Sequence, residues 1–228
     1  MPKCKHILTY IYILMNEYVK GSLVGATQTI VGHPFDTLKI LSQTKKPISF
    51  NRSTLFRGIQ YPLFVSAFSN SLCFGTYTQF YKQNNNSILS GFYAGVITAL
   101  VLNPFDVFKI KKQTNQPIYL SSSYNGISLM IARESISTSI YFSTYYNLVN
   151  RYNYIPFIAG GTAGACSWLF TYPIDTIKTR VQGGMTLKNA IRQSCLFGGL
   201  TYCLIRAFLC NGISFTLYDY LNQKNPII

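Results

Sequence analysis

The sequence predicts an all-α membrane protein whose six transmembrane helices form three hairpin repeats about a pseudo-threefold axis, with a proline kink in each odd helix. Three observations lead there. A Pro-x-Asp-x-x-Lys motif occurs three times at nearly equal spacing, charged residues are few, and six segments of spanning length are apolar yet interrupted by polar residues.

The motif reads Pro34-Phe35-Asp36-Thr37-Leu38-Lys39, then Pro104-Phe105-Asp106-Val107-Phe108-Lys109, then Pro173-Ile174-Asp175-Thr176-Ile177-Lys178, with the prolines 70 and 69 residues apart. Gln43, Gln113 and Gln182 each stand nine residues after a proline, and Gly21/Gly25, Gly91/Gly95 and Gly160/Gly164 stand thirteen and nine before. Self-similarity at a fixed period marks a repeated structural unit. The second half of each unit opens on Gly58, Gly126 or Gly199 and reaches Thr78, Tyr146 or Asp219 twenty residues later. The repeats are 18–83, 88–150 and 156–223, after a lead-in of 1–17.

Each half-repeat is long enough to cross a hydrocarbon core of ~30 Å as a tilted helix. The expected spans are 18–44, 58–83, 88–114, 124–150, 156–182 and 198–223. Short polar turns, Asn84-Asn85-Asn86-Ser87 and 151–155, join the repeats, and longer segments (44–57, 115–123, 183–198) join the halves within each. Pro34, Pro104 and Pro173 each fall inside an odd helix, where proline removes a hydrogen bond and kinks the axis. The Gly-xxx-Gly pairs let neighbouring backbones approach closely. Ser, Thr, Asn, Gln and Tyr interrupt every span, which is tolerated at membrane depth where that face lines a bundle interior or a wet cavity. The segment Met1–Leu14 carries Lys3 and Lys5 before an apolar run but no small-x-small cleavage site, and reads as a lead-in to the first helix.

Composition excludes other classes. Apolar residues make up 48% and charged residues 11%, against about 25% charged in soluble domains. The net charge of +14 raises nucleic acid as a partner, but a chain this apolar does not fit that class. Cys4, Cys73, Cys166, Cys195, Cys203 and Cys210 form no Cys-x-x-Cys pair and read as buried thiols. No metal site or cofactor is expected. Nor is an enzyme: there is no phosphate-cradling glycine loop and no His-Glu-x-x-His, and Ser42-Gln43-Thr44-Lys45 matches Ser-x-x-Lys without its companions.

The charges that remain are informative. A charge at membrane depth costs at least ~2.5–3.5 kcal/mol, so it persists only if paired or functional. Of the six acids, Glu17, Asp36, Asp106, Glu134, Asp175 and Asp219, three occupy one repeated position, each with a lysine three residues on. Pairing within one helix would account for a few tenths of a kcal/mol, but not for the threefold recurrence beside a proline. Pairs between helices, closing one mouth of a cavity, account for both.

The triplicated Pro-x-[Asp/Glu]-x-x-[Lys/Arg] motif, with glutamine nine residues after the proline, resembles the signature of the mitochondrial carrier family and covers essentially the whole chain. The resemblance implies alternating access around a central site in the mitochondrial inner membrane, usually as an exchanger and as a monomer. It implies matrix-gate pairs Asp36–Lys109, Asp106–Lys178 and Asp175–Lys39, with Gln43, Gln113 and Gln182 as braces. Twelve of the twenty Lys and Arg lie beyond the prolines and six on the opposite side, which by the positive-inside rule turns the prolines toward the matrix. Phe56-Arg57-Gly58 resembles a lipid-binding element, with Arg57 and Gly58 positioned for a cardiolipin headgroup. At the cytoplasmic gate the family shows [Phe/Tyr]-[Asp/Glu]-x-x-[Lys/Arg]. The matching positions here are Thr78 and Tyr81, Tyr146 and Val149, Asp219 and Asn222, so one charge of six remains. A gate through Tyr146 and Asp219, held by hydrogen bonds and packing, is the expectation. The repeats are also shorter than the family's usual ones, with the loss on the matrix side.

Substrate contacts in the family lie on the even helices, and the corresponding positions are Val65, Arg133 with Glu134, and Arg206. Two arginines and one acid favour an anionic or zwitterionic ligand. The Tyr-, Phe-, Asn- and Lys-rich composition suggests a compact AT-biased genome and is similar to a short virus-encoded carrier. A nucleotide or deoxynucleotide is therefore the first expectation and an amino acid or acylcarnitine the second; a non-transporting structural membrane protein is the reading from another class. Replacing Lys109 with Ala should abolish flux into liposomes while membrane insertion persists; equal loss of both marks a structural role.

Overall fold

In the computed structural model the described residues are 16–34, 56, 59–113, 124, 126–193 and 196–224, the side chains of 109, 112, 113, 223 and 224 excepted. Among them every regular element is a helix. Helix α1 covers residues 16–34, α2 Gln60–Asn84, α3 Ser87–Gln113, α4 Ile127–Asn150, α5 Pro156–Gln182, α6 Leu187–Arg192 and α7 Leu200–Lys224. The expected spans agree to within three residues at every end that is described. Residues 35–44 of the first expected span lie outside the described residues.

Local chemistry sets these boundaries. Asn85 adopts φ +48° after α2 and returns its N–H to the Tyr81 carbonyl at 2.8 Å, a left-handed helix stop that asparagine tolerates. Pro156 stands in the first turn of α5, where its missing N–H costs nothing. Gly126 and Gly199, at one register of the sequence, hold φ of +71° and +84° just before α4 and α7. That region favours glycine. The short helix α6 was not expected. It is anchored because the Arg180 guanidinium donates to the Ala190 and Gln193 carbonyls, both at 3.0 Å, while Ala190 is fully buried.

Packing runs α2 to α3, α3 to α4, α4 to α5 and α5 to α7. Helix α1 closes the ring: it meets α2 through Gly21 and Gly25, and α7 through a hydrogen bond from Gln28 to Asn211. The glycine pairs make the tight contacts. A Cβ on Gly21 would sit 2.6 Å from the Asn70 carbonyl oxygen, and one on Gly91 would sit 2.8 Å from both the Ser139 Cα and the Thr138 carbonyl oxygen. Thr138 Oγ1 uses the same approach to donate to the Gly91 carbonyl at 2.6 Å. Pro104 and Pro173 lie within α3 and α5 as expected.

By length and composition, Ser87–Phe108 and Leu200–Asn222 are apolar enough to cross a membrane. In the other long helices Thr76, Ser135, Thr171 and Ser167 are buried polar residues. Among the described cysteines all four are free; Cys210 is buried, whereas Cys73, Cys166 and Cys203 are only partly so. Cys73 and Cys210 face cavities.

A Gly91→Leu variant should lose about 1–3 kcal/mol from overpacking, read as a lowered unfolding temperature of the purified protein in detergent.

Candidate functional site

At the proline end, Lys178 of α5 donates from Nζ to Asp106 Oδ2 of α3 at 2.6 Å, with the lysine buried and the carboxylate about one-third exposed. The same two helices are joined again by Gln182, fully buried, whose Nε2 donates to Asn103 Oδ1 at 3.0 Å. The expected Asp106–Lys178 pair and its glutamine are therefore brought together. Asp36, Lys39 and Gln43 lie outside the described residues, as do the side chains of Lys109 and Gln113 and both Arg57 and Gly58. The pairs Asp36–Lys109 and Asp175–Lys39 are thus not described.

Asp175 shows a contact that sequence reasoning did not anticipate. Its Oδ1 lies 3.4 Å from Arg133 Nε of α4. Arg133 also pairs with Glu134 through Nη1 and places its guanidinium 4.9 Å from the Trp168 ring centroid. A cation over indole is favourable, more so when desolvated. One expected substrate residue thus touches a second, an aromatic wall and an acid of the gate motif.

Two adjoining cavities occupy the ring interior. Val65, Arg206, Asp106 and His33 line one of about 410 Å³. Arg133 and Glu134 line another of about 200 Å³ that ends against Phe74. Arg206 reaches toward α1, where Gly32 leaves room: a Cβ there would meet its Nη2 at 3.1 Å. The cavities share Gln28, Ser69, Asn70, Trp168 and Asn211. An amide network ties these walls, with Asn70 Nδ2 donating to Gln28 Oε1 at 3.3 Å, Gln28 Nε2 to Asn211 Oδ1 at 3.0 Å, and the Tyr141 hydroxyl to the same oxygen at 3.1 Å. Gln28 and Trp168 were missed from sequence. A signal existed for the first: Gln28, Thr98 and Ser167 each stand six residues before a motif proline, polar within apolar runs.

The opposite end is closed by aromatic rings. Phe74, Phe142 and Phe215, each four residues before Thr78, Tyr146 or Asp219, are buried together, with Phe74 5.3 Å from Phe142 and 5.9 Å from Phe215. Tyr77, Tyr145 and Tyr218 interlock with them cyclically. Tyr77 of α2 stacks on Phe142 of α4 at 3.7 Å, Tyr145 of α4 on Phe215 of α7 at 3.7 Å, and Tyr218 of α7 meets Phe74 of α2 at 4.9 Å. Tyr146, expected at this gate, meets Tyr81 at 5.8 Å between ring centroids. Asp219 sits half-buried on the same helix as Phe215 and Tyr218.

A closed ring of helices around polar cavities, with an ion pair at one end and a packed plug at the other, is the architecture of a membrane transport protein. The family model described as mitochondrial carrier protein matches residues 149–225. An arginine transporter of Arabidopsis thaliana mitochondria is 28% identical over 263 aligned positions, covering 89% of each chain. Solute carrier family 25 member 45 of Mus musculus is 27% identical, covering 91% of this chain and 98% of its own. The mitochondrial basic amino acids transporter of Bos taurus is 27% identical, covering 87% and 88%. Over most of its length the chain is similar to mitochondrial carriers, and that likeness places it as a multi-pass protein of the mitochondrial inner membrane.

Phe142→Ala should open the aromatic cluster at a cost of about 3–5 kcal/mol, whereas Tyr146→Phe, at the exposed margin, should change the unfolding temperature little; thermal unfolding in detergent compares the two.

Proposed function

We propose that this chain is an amino-acid carrier working by alternating access and exchange, as a monomer of six spanning helices in three hairpin repeats. The observation that carries the reading is the mixed charge of the cavity walls, where Arg133 and Arg206 stand with Glu134 while Asp106 is held by Lys178. Two cations with an acid suit a zwitterion. A nucleotide would bring several phosphate charges beside Glu134 and Asp106, and a buried excess of like charge is costly. The nucleotide expectation therefore gives way to the amino-acid one. The relatives named for arginine and for basic amino acids support the same choice.

In this mechanism the substrate ammonium takes Glu134 and its carboxylate takes Arg133 and Arg206, as charge-assisted hydrogen bonds. The second acid, Asp106, suits a cationic side chain once Lys178 has released it. A carboxylate that draws Arg133 toward itself draws it from Asp175, so that occupancy of the site weakens a contact of the gate motif. Binding shifts a two-state equilibrium only by its differential affinity for the two states, and this shared arginine supplies such a difference. Asp36–Lys109 and Asp175–Lys39 complete the ring with Asp106–Lys178, braced by Gln43, Gln113 and Gln182, and a cardiolipin headgroup docks at Arg57 and Gly58.

The test is uptake into liposomes containing the purified protein, with labelled arginine, lysine, alanine, carnitine and deoxynucleotides offered in turn. Amino-acid uptake that falls at least a hundredfold in Arg206→Ala is expected. Uptake of nucleotides alone would overturn the reading.

A further inference from the structure

At the end opposite the prolines, α1 carries two charges that the gate motif does not account for. Glu17 and Lys20 are 5% and 3% exposed, the most deeply buried acid and one of the most deeply buried bases among the described residues. Lys20 Nζ donates to Glu17 Oε1 at 2.9 Å and to Asn222 Oδ1 of α7 at 2.7 Å. The Tyr218 hydroxyl of α7 donates to the other carboxylate oxygen, Glu17 Oε2, at 2.7 Å. A buried charge is retained only where hydrogen bonds compensate it, and here each charge has one partner on its own helix and one on α7. The cluster therefore fastens α1 to α7.

Its placement relates it to transport. Tyr218 is at once a member of the aromatic interlock, through Phe74, and the donor to Glu17. Asn222 occupies in the third repeat the register held by Tyr81 and Val149 in the others, none of which is basic. Helices α1 and α7 belong to the first and last repeats, so this is the seam that no chain connection crosses. The seam between α2 and α4 at the same end carries a ring contact, Tyr81 on Tyr146, in which neither partner is charged.

We propose that Glu17 and Lys20 are gate-positioning residues: they latch the aromatic closure at the α1–α7 seam, and the end opposite the prolines opens by parting that seam. The latch rests on the transport reading but not on the identity of the substrate. It makes the gate asymmetric: at the α2–α4 seam the Tyr81 and Tyr146 hydroxyls meet without charge, whereas the α1–α7 seam holds two buried charges and their two polar partners. An aromatic joint separates and re-forms without stranding charge, whereas the latched joint must rehydrate Glu17 and Lys20 together.

The test uses the full chain in liposomes and a membrane-impermeant maleimide applied from the side of the latch, with labelling of the cavity thiols Cys73 and Cys210 read by peptide mass spectrometry. Breaking one partner alone strands a buried charge, so the pair is neutralised together as Glu17→Gln with Lys20→Met. Labelling of the cavity thiols should rise about tenfold, and net efflux into substrate-free medium should rise with it. Tyr81→Phe, which removes the hydroxyl shared with Tyr146 at the α2–α4 seam, should raise both by much less. Unchanged labelling in the double variant overturns the proposal, as does an equal rise in Tyr81→Phe. If the double variant fails to insert, Tyr218→Phe decides: it keeps the ring, loses the hydroxyl that donates to Glu17 and also meets Thr78 and Asn222, and should raise labelling about threefold, an unchanged rate overturning the latch. Failure of the wild type to take up amino acids would sink the substrate reading alone, because labelling is read without substrate.

Discussion

Placing charge where water is scarce is the constraint on which the rest of this structure depends. Lys178 is buried and its ammonium is kept by Asp106 at 2.6 Å. The pair has little worth as a source of stability, since desolvation offsets most of its attraction. Its value lies in being conditional. Two helices held by an ion pair separate only when something else satisfies both charges, and that dependence is what a gate requires. The surrounding architecture serves this end: close glycine contacts fix the helices of each hairpin, and Gln182 with Asn103 ties α5 to α3 beside the pair.

The two ends of the ring solve closure with different chemistry. The proline end uses an ion pair and amides. The opposite end uses six aromatic rings in cyclic contact, each stack contributing about 0.5–1.5 kcal/mol beyond its buried area. Packing of this kind is indifferent to substrate charge, whereas the ion-paired end is sensitive to it. Arg133 sits between the two regimes. It touches Glu134 in the cavity, Trp168 on its wall and Asp175 at the proline end. A single guanidinium can do this because its donors point in several fixed directions.

The short length of the chain is compatible with this division of labour. Relatives align over 89–91% of it, and the ring of helices, both cavities and the aromatic closure are all present in the described residues. The connection 183–198 contains α6, held by Arg180. Tyr172 and Thr176 of α5 reach the Gly198 and Leu196 carbonyls, at 2.5 and 3.0 Å, and so set where α7 begins.

By itself the sequence determined the helical class, most helix boundaries and the repeated Asp and Lys positions of the motif, because helix length, glycine spacing and the triplicated motif are properties of chain order. It also indicated that one charge of six, Asp219, remains at the matching positions of the opposite end. What only the tertiary structure decided is which side chains meet across repeats. Phe74, Phe142 and Phe215 look like ordinary apolar residues until three helices bring them together. Arg133 could have faced a carbonyl rather than Asp175, and Glu17 read as the end of a lead-in and Lys20 as the start of the first span until α7 buried them. The reason is physical: periodicity along a chain encodes which face of a helix is buried, but the partner on that face lies up to about two hundred residues away, and the contact is set by how the ring closes.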